Sequence, residues 1–298
     1  MTDVTLLDGG MGQELIHRSE GPPTALWSAR VMLENPGLVA DIHRDFAQAG
    51  AGVSTTNSYA IHRDRLDGTG LESRFKDLHA MALEEVKDGA PGTVIAGSIG
   101  PLVASYRPDL HPDYDTAVRL YTEIAELLAE TCQILICETV VSIEHAKSIL
   151  AAAKSTGLPV WIAFCTAEED GTVLRSGERL EEALPIAEAS ADAILINCTA
   201  PEAIPAGLDI LAKGERPIGA YANAFETISE GFLTPKPTVD ALKTRADLTP
   251  DTYAEHALKW VDCGASIVGG CCEVSPSHIA AIATKLRDAG HTLTQGIN

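Results

Sequence analysis

Two adjacent cysteines, Cys271 and Cys272, follow two glycines in the run Ser266-Ile267-Val268-Gly269-Gly270-Cys271-Cys272-Glu273. A third, Cys198, closes another apolar run, Ala193-Ile194-Leu195-Ile196-Asn197-Cys198. Neighbouring side chains of a strand point to opposite faces, so two adjacent thiols reach one point only where the chain turns. The glycine pair is expected to supply that freedom. Three thiolates at the ends of two buried strands fit a zinc ion with one position left open, the arrangement of a catalytic rather than a structural zinc. A structural zinc closed by a fourth protein ligand is the alternative from a different class.

The remaining cysteines, Cys132, Cys137, Cys165 and Cys263, read as ordinary buried residues. Seven cysteines is an odd count in a long chain, which argues against a disulfide framework. The sequence runs straight into Thr5-Leu6-Leu7-Asp8 without the basic start and apolar core of a signal peptide, and no run approaches membrane-spanning length. A cytoplasmic protein is expected. The net charge of −20 argues against nucleic acid and anionic membrane surfaces and is compatible with a cationic small-molecule substrate.

The elements that must position these thiols emerge from short apolar runs alternating with amphipathic stretches. Strands are expected at 4–8, 52–56, 94–97, 134–138, 160–164, 193–197, 218–221 and 266–269, mostly apolar on both faces, as in a parallel sheet covered by helices. Asn35-Pro36, Thr249-Pro250 and Ser275-Pro276 each offer a cap and a first-turn proline for helices that end near Gly50, Gly264 and Gly290. Further helices are expected at 114–131, 143–155 and 180–189. Eight alternations in 298 residues predict an α/β fold, a single (β/α)8 TIM barrel spanning residues 1–298. A doubly wound open sheet is the alternative, but Asp8-Gly9-Gly10-Met11-Gly12 lacks the G-x-G-x-x-G spacing.

Barrel active sites lie at the C-terminal ends of the strands. Polar or unusual residues stand at seven of those eight ends: Asp8, residues 55–59, Ser98, Glu138-Thr139, Cys198, Asn223 and Cys271-Cys272. Histidines such as His43, His79 and His256 fall within helical patterns and read as surface or core residues.

At these positions the chain resembles a known family. The runs Asp8-Gly9-Gly10-Met11-Gly12, Leu26-Trp27-Ser28-Ala29, Thr55-Thr56-Asn57-Ser58-Tyr59, Gly97-Ser98-Ile99-Gly100-Pro101, Glu138-Thr139, Ile196-Asn197-Cys198 and Gly269-Gly270-Cys271-Cys272 are similar, in order, to those of the zinc-dependent homocysteine S-methyltransferases. The resemblance implies a (β/α)8 barrel with a catalytic zinc on Cys198, Cys271 and Cys272. It implies methyl transfer from a sulfonium, quaternary ammonium or folate donor to homocysteine, giving methionine. It places Glu138 at the amino group of homocysteine, and Asp8 either at substrate or in support of the Gly-rich turn. Thr56, Asn57 and Ser98 would hydrogen-bond the amino-acid portion, Tyr59 would ligate zinc when substrate is absent, and Trp27 would offer its π-face to the onium donor or simply be buried.

Three departures fall on the rim where a donor would enter. Gly100-Pro101-Leu102-Val103 replaces the Gly-Pro-Tyr-Gly frequent in relatives, Tyr221-Ala222-Asn223-Ala224-Phe225 replaces Tyr-Pro-Asn-Ser-Gly, and Thr139 stands where betaine users carry a tyrosine. A sulfonium donor, S-methylmethionine or S-adenosylmethionine, is therefore expected, with Asn223 among its polar contacts. A betaine-like donor or another thiol acceptor is the alternative.

Overall fold

Runs that are apolar on both faces can be buried only between an inner layer and an outer layer, and the chain places them there. The computed structural model describes residues 2–19, 27–226 and 243–296. Its strands are β1 (Asp3–Leu6), β2 (Val53–Thr55), β3 (Val94–Ile99), β4 (Ile134–Val140), β5 (Val160–Phe164), β6 (Ala193–Asn197), β7 (Ile218–Ala222), β8 (Ile267–Gly270) and β9 (Thr292–Thr294). They form one parallel sheet in the order β2-β3-β4-β5-β6-β7-β8-β1-β9. The sheet curls until its ends meet. Leu7 bridges Val53, the Asp8 N–H donates to the Val53 carbonyl at 3.2 Å, and the Gly52 N–H donates to the Leu6 carbonyl at 2.8 Å. The expected (β/α)8 barrel is the result.

The ninth strand was not expected. β9 pairs with the first residues of β1, Asp3 with Thr292 through Thr5 with Thr294. A Cβ added at Gly52, where β2 begins, would lie 2.6 Å from the Thr294 carbonyl oxygen. β9 thus fills the seam between β1 and β2 at the N-terminal mouth, while Leu7 and Val53 close it above.

Helices cover the outside: α1 (Met11–Arg18), α2 (Trp27–Glu34), α3 (Leu38–Ala49), α4 (Arg63–Leu66), α5 (Phe75–Gly89), α6 (Tyr114–Ala129), α7 (Ile143–Lys154), α8 (Leu180–Ser190), α9 (Ile204–Leu211), α10 (Pro250–Asp262) and α11 (Pro276–Asp288). The expected caps hold at α10, where the Thr249 hydroxyl accepts from the Thr252 N–H, and at α11, where Ser275 and His278 form a capping box. α3 starts later than Asn35-Pro36 suggests, because Gly37 adopts a left-handed φ of 88° that breaks the helical path. No described helix is long and apolar enough to cross a membrane.

Strand alternation divides the core in two. Ile134, Ile136, Trp161, Ala163, Leu195 and Tyr221 fill the barrel interior, whereas Leu135, Cys137, Ile162 and Ile194 face the helices. The same parity carries Glu138 inward after Ile136. It would send Cys198 outward after Asn197, and there the backbone departs from the strand.

Candidate active site

Both strands that end in cysteine turn sharply at that point. Cys198 has a φ of 47°. After β8, the Cys271 N–H still bonds the Ala222 carbonyl, and the Val274 N–H then turns back to the Cys271 carbonyl at 3.2 Å, with Glu273 at φ 63°. This turn, not the glycine pair, is what lets Cys271 and Cys272 approach one point. The glycines serve close approach instead: a Cβ at Gly269 would lie 2.6 Å from that of Leu7, and one at Gly270 would overlap Val274.

The sulfurs of Cys198, Cys271 and Cys272 all lie within 4.8 Å of one another, with Cys271 and Cys272 3.9 Å apart. This is the one group of three or more potential metal ligands among the described residues. The Cα atoms of Cys198 and Cys271 stand 5.9 Å apart, and their two sulfurs are in direct contact. Two strand ends brought this close are within disulfide reach. Only the reduced pair adds two ligands to Cys272, whose thiol burial pushes up to about 12. Three clustered soft donors suit zinc.

The cysteines form part of the wall of a cavity at the C-terminal rim, also lined by Asp8, Thr56, Asn57, Tyr59, Ser98 and Glu138. Asp8 accepts from the Thr55 N–H at 2.8 Å and the Thr55 hydroxyl at 2.9 Å, and burial raises its carboxyl to about 7. Glu138, 8 % exposed, accepts from the hydroxyls of Ser98 and, at 2.9 Å, Tyr221. Burial raises its carboxyl as well. Two buried carboxylic groups with no lysine or arginine among the described lining residues make a receptor for a cation.

Several expected residues support the frame. Thr56 accepts the Ser98 N–H at 3.0 Å, and Asn57 donates to the Ser28 carbonyl at 3.4 Å. The Tyr59 hydroxyl pairs with Ser105 at 2.9 Å, and burial pushes it up to about 12. Asn223 is not part of the cavity wall; its Oδ1 accepts the Phe225 N–H at 3.1 Å. The backbone of Trp27 opens α2, and its side chain lies outside the described residues. His43 and His79 are buried in the helical layer. Sequence reasoning missed Tyr221, Tyr106, Phe225 and Gln13, all of which line the cavity. For Tyr221 the signal was its place near the end of β7, from which its hydroxyl reaches Glu138 of β4 across the barrel interior.

Residues 5–286 match the model of the homocysteine S-methyltransferase family. The chain belongs to that family. It is 28% identical to the homocysteine S-methyltransferase YbgG of Bacillus subtilis (strain 168), over 95% of this chain and 94% of that one. It is 29% identical to a homocysteine S-methyltransferase of Escherichia coli (strain K12), over 94% of both. The metallated form of the homocysteine methyltransferase MmuM from Escherichia coli superposes with a TM-score of 0.80 at 25% identity, covering 95% of this chain and 96% of that one.

Proposed function

We propose that this family member, acting as one domain, transfers a methyl group from a sulfonium donor to homocysteine, with zinc held by reduced Cys198, Cys271 and Cys272. The observation that carries this reading is the gathering of three sulfurs within 4.8 Å on the wall of a cavity that also contains two buried carboxylic groups. When bound, zinc would supply the Lewis acidity that keeps the acceptor thiol ionised at neutral pH.

The chain's own residues bind and orient. Glu138, held by Ser98 and Tyr221, takes the ammonium of homocysteine, with Asp8 beside the same cavity. Tyr59, Tyr106, Tyr221 and Phe225 present aromatic surface that favours an onium cation. As the acceptor sulfur forms its bond to the methyl carbon, the donor's carbon–sulfur bond breaks and a neutral thioether leaves, so no general acid is required. Catalysis then rests on alignment and on the electrostatics of the pocket. S-methylmethionine or S-adenosylmethionine is the proposed donor. A betaine-like ammonium draws on the same aromatic rings and is the second reading. A panel of these donors with homocysteine, followed by methionine formation, separates them. Absence of methionine with every sulfonium donor overturns the first reading.

A further inference from the structure

Strand parity would turn Cys198 toward the helices, and the φ of 47° that brings it to the cavity instead is costly for a residue other than glycine. That conformation needs support. The Cys198 N–H donates to the Tyr221 carbonyl at 3.2 Å. The Cys198 carbonyl accepts from the Cys165 thiol at 3.2 Å. Cys165 directly follows β5, is fully buried and is not part of the cavity wall. It meets the candidate metal ligand from behind, through the backbone. The next residue fastens the same two strand ends: the Thr166 N–H donates to the Thr199 hydroxyl at 3.1 Å, and that hydroxyl donates to the Asn197 carbonyl at 3.0 Å.

The Cys165 thiol is itself oriented. Arg175 Nε donates to its sulfur at 3.3 Å, and the Arg175 N–H donates to the Cys165 carbonyl, also at 3.3 Å. With Arg175 supplying a hydrogen to the sulfur, the hydrogen of the thiol is left for the Cys198 carbonyl. The guanidinium is fixed on its other sides as well. Nη2 donates to Glu168 at 3.1 Å, and Cζ lies 4.7 Å from the centre of the Tyr106 ring, which lines the cavity. An apolar side chain in place of Cys165 would fill the space but leave the Cys198 carbonyl and Arg175 Nε without this partner.

Building on the proposed function, we propose that Cys165 is a positioning residue for the metal site. Its thiol, oriented by Arg175, holds the turned backbone of Cys198 and so presents that sulfur to zinc.

Zinc affinity of the full chain under reducing conditions, measured by competition with a chromophoric chelator, tests the role. The thiolate-to-metal absorption of the cobalt(II)-loaded protein is a second readout. Cys165→Ala should weaken zinc by about tenfold, the size of one hydrogen bond behind a ligand, and alter the cobalt spectrum. Cys165→Ser keeps a donor and should return the affinity to within about threefold of the parent. Arg175→Met, similar in length but without a donor, should weaken zinc by about threefold to tenfold. Cys132→Ala truncates a buried cysteine of the helix-facing core and should leave zinc affinity unchanged.

Parental zinc affinity in Cys165→Ala, or equal weakening in Cys165→Ala and either Cys165→Ser or Cys132→Ala, overturns the proposal. Parental affinity in Arg175→Met removes Arg175 from it. These readouts need no methyl donor. If no sulfonium donor yields methionine but the contrast holds, the proposed reaction fails and the positioning role stands. With turnover in the parent and no contrast, the positioning role alone fails. A parent that takes up no zinc overturns both.

Discussion

The side-chain amide of Asn197 holds Thr139 from both sides. The Thr139 N–H donates to Asn197 Oδ1 at 2.9 Å, and Asn197 Nδ2 donates to Thr139 Oγ1 at 3.2 Å. Thr139 has a φ of 55° and follows Glu138; Asn197 precedes Cys198, at φ 47°. One buried amide thus ties the end of β4 to the end of β6, and a candidate substrate carboxylate to a candidate metal ligand. Asn197→Ala leaves a buried N–H unpaired and should destabilise the fold by about 1–3 kcal/mol in denaturant unfolding. It should also raise the homocysteine KM. Unchanged stability would remove the clamp.

Each of the three cysteines should be needed for metal. Under reducing conditions, Cys198→Ala, Cys271→Ala and Cys272→Ala should each lose bound zinc by elemental analysis and lose turnover, since two thiolates cannot keep the same coordination. Chelation of the unaltered protein should do the same reversibly. Full zinc content with normal activity in any one variant argues against that residue as a ligand.

Glu138 depends on its partners. Glu138→Gln should raise the homocysteine KM strongly while sparing zinc content. Tyr221→Phe removes one neutral donor from the carboxylate and should raise KM by about threefold to tenfold, the scale of one hydrogen bond. A Tyr221→Phe variant with unaltered homocysteine KM would show that Ser98 alone orients the carboxylate.

Asp8 predicts a pH dependence. Its folded carboxyl keeps the proton to about 7, whereas the ordinary value is 3.8. Between those values the folded state binds the extra proton, so the contribution of Asp8 to stability falls as pH rises through that window. Asp8→Asn removes the fall, and its Tm relative to the parent should be higher at pH 8 than at pH 5 by at least about 2 °C. Ionisation should favour the ammonium of homocysteine, so KM should drop from pH 6 to pH 8 in the parent but not in Asp8→Asn. A Tm difference that does not change with pH would assign Asp8 an ordinary titration.

The expected donor preference rests on Thr139, which is buried and tied to Asn197 instead of presenting an aromatic face. Loss of one aromatic contact with a trimethylammonium group removes roughly 0.5–2 kcal/mol. S-methylmethionine should exceed glycine betaine in kcat/KM by about twofold to thirtyfold, the ratio that this lost contact sets. A betaine advantage would reverse the assignment and leave the cysteine predictions untouched.

The eight barrel strands were legible because their runs are apolar on both faces, and the cysteines because they end two such runs. β9 was not, since Thr292-Leu293-Thr294 is too short and polar to signal a strand. Tyr221 and Gln13 were missed for a different reason. Their places in the cavity wall depend on which way a side chain faces across the barrel, which needs register and three-dimensional neighbours. The Gly269-Gly270 pair was noticed for its backbone freedom, yet its function is to admit Leu7 and Val274 at contact distance.

The partnership of β1 with β9 also fixes an order of assembly. Thr5 waits for Thr294, 289 positions later, to complete its edge. During synthesis β1 precedes β9 by nearly the whole barrel, so its lower edge stays unpaired until residues 292–294 have been made. The ring is fastened by a clasp between two segments far apart in sequence, which makes its closure a long-range event and the nascent barrel an open one.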